Sequence, residues 1–299
     1  MKQKLLCIVI ISLFLIINCS SGGTTEYREA VNLQKRGEYE KAIEIYLSLT
    51  REYDNRGVGI MAQRGLEECR AIMLYQKAIY ELNFGDREEA NETAKRAAKL
   101  YYLVAEAQYI KAMNRFLDGD IEGAERMFIR IIRDNPALPY GYMGLGRVDE
   151  EVQRYTSSVL NYSKALKLSK DKKINEIVFS GIERCMEINQ DNPLIMGVIE
   201  DTSNKYGASS TIYYYLGRYF NTGEEPNYQK AISYLSRALS SEGYDESMER
   251  KIYIEMARAY EGAGHKRKAL SYIDKALVLG EDDDLKIWKK RIESHLENN

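Results

Sequence analysis

Residues 251–280 read KIYIEMARAYEGAGHKRKALSYIDKALVLG. Within them Ala269, Ile273 and Ala276 follow the i, i+4, i+7 spacing that places side chains on one face of a helix. Ala257 stands twelve positions before Ala269, and Gly264 lies between the two, where a tight turn favours a residue without a Cβ. The stretch therefore reads as two short helices in a hairpin, each carrying a small residue where the pair must approach.

The pattern recurs along the chain. Matching sets are Ala42, Tyr46, Leu49; Ala90, Ala94, Ala97; Ala124, Phe128, Ile131; Ser158, Tyr162, Ala165; and Ala231, Leu235, Ala238. Upstream small partners are Ala30, Ala78, Ala112 and Gly146, with Gly217 in the same role before a turn that is longer by two residues. Gly37, Gly85 and Gly119 take the turn position of Gly264. Ala90, Ala124 and Ser158 are spaced 34 residues apart, a period diagnostic of stacked helical hairpins.

These residues resemble the tetratricopeptide repeat family, most fully in Tyr253, Met256, Ala257, Tyr260, Gly264, Ala269, Ile273 and Ala276, and again in Ala112, Gly119, Ile121, Ala124, Phe128, Ile131 and Pro136. Tyr142 and Tyr253 stand where the family carries Trp. The resemblance implies an all-α fold, an alpha-alpha superhelix closed by a C-terminal capping helix. Repeat units are expected at 23–56, 71–104, 105–138 and 139–172, a degenerate unit or seam at 173–209, and further units at 210–245 and 250–283. In the degenerate unit, Ile174, Ile177, Val178, Ile182, Cys185 and Ile188 form one helical stripe, and Leu194, Met196 and Ile199 suggest a second helix. Leu66, Cys69, Met73 and Lys77 keep helical spacing through the extra sequence at 57–70, which either lengthens a helix or adds one. Segment 284–299 is the expected cap, with Asp282 to Asp284 at its start and Leu285, Trp288, Ile292 and Leu296 on one face.

The amino terminus follows different physics. Lys2 and Lys4 precede an almost uninterrupted apolar run from Leu5 to Ile17, shorter than the roughly 20 residues a spanning helix needs, so 1–18 reads as a secretory signal. Ile16, Ile17, Asn18 and Cys19 resemble the lipobox of bacterial lipoproteins, which implies cleavage before Cys19, its lipidation, and a short linker at 19–22. The alternative is a plain signal peptide cut near Ser20 or Gly22. Ser20 stands where Asp retains some lipoproteins at the inner membrane, so an outer-membrane location is expected, with the inner membrane left open.

Composition narrows the function. The 299 residues carry 43 Lys+Arg against 45 Asp+Glu, a formal charge of −2, too balanced for a protein that tracks nucleic acid phosphates. Cys69 and Cys185 are expected as buried, unbridged thiols. His265 and His295 have no neighbouring ligands at metal-binding spacing; Gly141, Gly144 and Gly146 follow no strand that would make a nucleotide loop. Asp118 and Asp120 lie in a turn without the oxygen ligands of a calcium loop. No cofactor, metal or catalytic group is therefore assigned.

The family resemblance further implies that the first helix of each unit lines a groove. Carried onto this chain, its lining is Tyr109, Met113, Phe116, Tyr140, Met143 and Arg147, followed by Tyr214 and Arg218. Aromatic anchors and guanidinium groups suit a protein or peptide partner, and the competing reading has each Tyr filling a seam between repeats. The expectation is a non-enzymatic, lipid-anchored scaffold in a bacterial cell envelope. Two alternatives stand beside it. One is an outer-membrane protein assembly component, since Gly37, Tyr39, Ala42, Tyr46 and Leu49 resemble the opening repeat of lipoproteins with that role. The other is a ligand-binding component of an envelope transport system.

Overall fold

The small-residue pattern converts directly into packing. In the computed structural model, which describes residues 23–54, 57–190, 192–223 and 225–297, all regular structure is helical. The helices pair as in a tetratricopeptide-type solenoid and fall into two compact units, residues 23–141 with 169–175 and residues 142–168 with 176–297.

The first unit contains α1 (23–36), α2 (Tyr39–Glu52), α3 (Gly57–Phe84), α4 (Arg87–Leu100), α5 (Val104–Leu117) and α6 (Ile121–Asp134). Residues 57–70 are the first half of α3, a single helix of 28 residues that packs against α2 on one side and α4 on the other. Ala30, Ala42, Tyr46, Leu49, Ala62, Leu66 and Cys69 form one continuous core cluster there. At the α5–α6 turn, Gly119 adopts φ +84° and Asp120 accepts from the Gly123 N–H at 2.9 Å, so one residue reverses the chain and the next caps the new helix. Gly37 and Gly264 share the left-handed conformation; Gly85 does not.

The second unit takes all but the first two residues of α7 (Tyr140–Glu151), then α8 (Tyr155–Leu168) and most of α9 (Lys172–Ile188). It continues through α10 (Pro193–Tyr206), α11 (Ser210–Thr222), α12 (Tyr228–Ser240), α13 (Glu246–Gly262), α14 (Lys266–Val278) and α15 (Asp283–Glu297). Within 173–209 lie most of α9 and the whole of α10, and the compact units divide after residues 141, 168 and 175, the first inside α7 and the last inside α9. Asn192 caps α10 by accepting from the Leu194 and Ile195 N–H groups, and Pro193 occupies its first turn.

Ala30, Ala78, Ala90, Ala112, Ala124, Ala231, Ala257 and Ala269 are fully buried, and Gly146 and Gly217 are buried with them. At Gly146 an added Cβ would stand 2.6 Å from the Tyr162 ring, so the close approach of α7 to α8 requires its absence. Three apolar residues depart from the expected stripes. Ile188 and Leu194, at the facing ends of α9 and α10, are exposed, and Leu296 is exposed one turn beyond the last buried residue of α15. Each lies at a helix end, past the reach of its neighbours. Leu285 and Ile292 are buried against Ala257, Ala269, Ile273 and Ala276, so α15 covers the last hairpin.

Candidate functional site

The eight expected groove residues divide by burial. Tyr109, Met113, Phe116, Tyr140, Met143 and Tyr214 are all under a tenth exposed and belong to the core, which corrects their assignment as a contact surface. The cause is visible at Tyr109: its ring lies 5.7 Å from Phe128 and 6.1 Å from Tyr140, and its hydroxyl accepts from Asn83 Nδ2 at 3.2 Å. Stacked hairpins cover these side chains. Arg147 and Arg218 are only half-buried.

Those two arginines belong to a row of charged groups on the first helices of the second unit. Arg147 donates from Nη1 to Glu150 Oε1 at 2.9 Å along α7. Arg184 on α9 reaches the same carboxylate with Nε at 2.6 Å and Nη2 at 3.0 Å, and the Tyr162 hydroxyl donates to its Oε2 at 2.9 Å. Burial raises the Glu150 pKa, but its hydrogen bond from Arg184 and the two guanidinium charges outweigh that and hold it below its ordinary value. On α11, Arg218 stands near the Tyr214 and Tyr215 phenols and makes no ion pair among the described residues. On α13, Arg258 Nη1 binds Glu255 Oε1 at 2.5 Å, and the buried Glu255 also accepts from Asn221 Nδ2 at 2.9 Å. Ser209 donates to Glu183 Oε1 at 2.5 Å, and burial raises the Glu183 pKa.

Arg184, Arg258, Glu150 and Glu255 were absent from the sequence-derived lining. A usable signal existed for one of them: Arg147, Arg218 and Arg258 are each the ninth residue of their units, counted from 139, 210 and 250. Arg147, Arg184 and Arg258 are held by carboxylates and remain partly exposed.

The first unit carries a different group. Glu106 on α5 lies within electrostatic range of the Tyr140 hydroxyl, as do Tyr39 and Asp171. Burial raises the Glu106 pKa by more than the polar groups of its backbone and Tyr140 lower it. Other candidates have structural roles. Cys69 and Cys185 are buried and unbridged, with burial pushing their thiols up to about 12 and about 11. Asp118 pairs with Arg87 at 2.8 Å and Asp120 caps α6. His265 is exposed beside Tyr260. Among the described residues, no cluster of His, Cys, Asp or Glu forms a metal site, and no helix is long and apolar enough to cross a membrane. Cys19 lies outside the described residues.

Helical hairpins with small residues at each crossing, presenting charged groups on successive first helices, define a helical-repeat protein. Residues 75–139 match the family model described as tetratricopeptide repeat, which identifies that stretch as tetratricopeptide sequence. No curated protein matches the chain. Among solved structures, a tetratricopeptide repeat protein from Parabacteroides merdae is 12% identical, with 91% of this chain and 98% of that one covered and a TM-score of 0.32. The pilF protein of Pseudomonas aeruginosa is 13% identical, covering 77% of this chain and 99% of its own, with a TM-score of 0.47. Yeast Tom70 is 13% identical over 93% of this chain and 65% of its own, with a TM-score of 0.36.

Proposed function

We propose that the protein is a non-enzymatic scaffold, tethered through lipid on Cys19 in a bacterial cell envelope, that binds a protein or peptide partner along the first helices of its second unit. The observation that carries the binding face is Arg218, a half-buried guanidinium without an ion pair among the described residues, on the helix between those of the anchored pairs Arg184–Glu150 and Arg258–Glu255 in chain order. An unpaired cation between two paired ones can accept an anionic or carbonyl group without first breaking an internal contact. The apolar run before Cys19 and the residues around it support export and tethering.

Two measurements test this reading. A photocrosslinker at Tyr215 in the intact protein, irradiated in native membranes, should join it to one envelope protein at near-stoichiometric yield; a probe at exposed Ile129 on α6 serves as the control. Equal, scattered labelling from both positions would remove the binding face. Metabolic labelling with an alkyne fatty acid should mark the wild type and be lost in Cys19→Ser; persistent labelling would place the lipid elsewhere, and no labelling of the wild type would remove the tether.

A further inference from the structure

The position four residues after each packing anchor holds Tyr46, Phe128, Tyr162, Leu235 or Ile273, all buried between helices. In α4 the same position is Ala94, half-buried, with Ala98 exposed one turn later. The missing side chain leaves a groove of about 500 Å³ between α3, α4 and α5, walled also by Ala107 and Ile110. Two further observations show that this region is underfilled. Tyr102 on the rim is 59% exposed, and the buried Tyr75 hydroxyl has no partner at hydrogen-bond geometry among the described residues, although the Leu103 backbone influences it. The amide groups of Asn91 and Asn114 bond to each other, at 3.2 and 2.8 Å, and so close their side of the groove without needing a ligand. The charged residues that line it are Lys95 and Lys111, while Glu106 lies outside the lining within electrostatic range of Tyr75. Lys95 is held by Glu92, whereas Lys111 is exposed and makes no ion pair among the described residues.

We propose that this groove binds a small anionic amphiphile, an alkyl chain ending in a carboxylate. The chain lies against Ala94, Ala98, Ala107 and Ile110 beneath the Tyr102 ring, and the carboxylate meets the Lys111 ammonium. The volume is in the range of small-ligand sites, and an apolar trough with cations at its mouth selects an apolar body with a negative head. This site is on the first unit and does not depend on the partner face of the second.

The test is titration of the intact protein with decanoate, decanol and decyltrimethylammonium below their aggregation concentrations, followed by calorimetry. Decanoate should bind best of the three. Ala94→Phe, which supplies the ring that Phe128 provides one repeat later, should weaken decanoate at least tenfold with helical circular dichroism unchanged. If Ala94→Phe does not fold, Ala98→Leu, at an exposed position, makes the same test. Lys111→Glu should weaken decanoate at least tenfold and leave decanol unchanged. Decyltrimethylammonium binding as tightly as decanoate, decanoate affinity indifferent to filling the groove, or no decanoate binding at all would each overturn the proposal, the last also where filling the groove abolishes crosslinking to a protein.

Discussion

Arg184 grips Glu150 through two guanidinium nitrogens, with Nε to Oε1 at 2.6 Å and Nη2 to Oε2 at 3.0 Å, and so ties α9 to α7 across 34 residues of chain. Arg147 and the Tyr162 hydroxyl complete the carboxylate's shell. Removing Glu150 would leave two cations without their shared anion and a buried phenol without an acceptor. Glu150→Ala is expected to cost about 2 kcal/mol, less than a fully buried pair because Arg184 is partly solvated. Urea denaturation measures it, and a loss below about 0.5 kcal/mol would show that the network contributes little to stability.

Glu150 and Glu106 should respond to acid with opposite sign. Glu150 in the folded protein titrates below its ordinary value of 4.5, so on acidification the unfolded chain takes up its proton first. Its contribution is complete above the unfolded pKa and disappears as pH falls through the folded one. Glu106 titrates above 4.5 because it is buried, so the native state binds the proton first, and its contribution declines as pH rises from the unfolded value to the raised one. Hydrogen exchange measured at pH 4 and pH 7 should therefore show α7, which carries Glu150, losing protection on acidification while α5 around Glu106 holds or gains it. Glu106→Gln should flatten the response of α5, and an unchanged slope would remove Glu106 as its cause.

Glycines inside helices separate packing from propensity. Gly146→Ala improves helix propensity by about 1 kcal/mol but drives a Cβ to 2.6 Å from the Tyr162 ring, which Glu150 holds by its hydroxyl. A net loss of about 1–3 kcal/mol is expected from overpacking. Gly197, inside α10, has nothing within 4 Å of its added Cβ. Gly197→Ala should stabilise by about 0.5–1 kcal/mol. Thermal melts of the two variants should move in opposite directions, and parallel shifts would contradict the close approach at Gly146.

The small residues of the hairpins were legible in the sequence because helix crossing imposes a local spacing, seen in Ala257, Gly264 and Ala269. The helical character of 57–70 could also be read, since Leu66, Cys69, Met73 and Lys77 keep the helical period, but that spacing fits a lengthened helix and an added one alike, and α3 is the former. Solvent access could not. Repeat position places Tyr109 on a first helix, but its burial depends on Phe128 and Tyr140, which reach it only after stacking. Likewise nothing near Glu150 in sequence marks Arg184 as its partner. Local periodicity thus specifies the scaffold, whereas the site depends on contacts one repeat away. Recurrence at the ninth position, in Arg147, Arg218 and Arg258, was the visible trace of it.

Arg218 offers a clean separation of binding from folding. It makes no ion pair among the described residues, so Arg218→Ala should change stability by no more than about 0.5 kcal/mol. The same substitution should reduce crosslinking from Tyr215 at least fivefold. Arg218→Lys keeps the charge but loses the planar fork, and should recover only part of the yield. Full crosslinking by Arg218→Ala would move the binding face away from α11.

Asp282 joins the last hairpin to its cover by two different bonds. Its Oδ1 accepts from the Leu285 N–H at 3.0 Å, capping α15, and its Oδ2 meets Arg250 Nη2 of α13 at 2.8 Å. The Leu285 hydrogen bond, then Arg250, lowers the Asp282 pKa. Asp282→Asn retains an acceptor for the cap and loses the charge opposite Arg250, whereas Asp282→Ala loses both. Exchange protection across α15 should therefore fall in the order wild type, Asn, Ala, with α14 less affected because Ile273 and Ala276 also pack within their own hairpin. The cap's dependence on charge has a defined pH range: its stabilisation is complete above the unfolded carboxyl value and fades as pH falls through the lowered one. Equal protection in Asn and Ala variants would assign the effect to the Arg250 pair alone, and equal protection in all three would show that Leu285, Trp288 and Ile292 hold α15 in place without it.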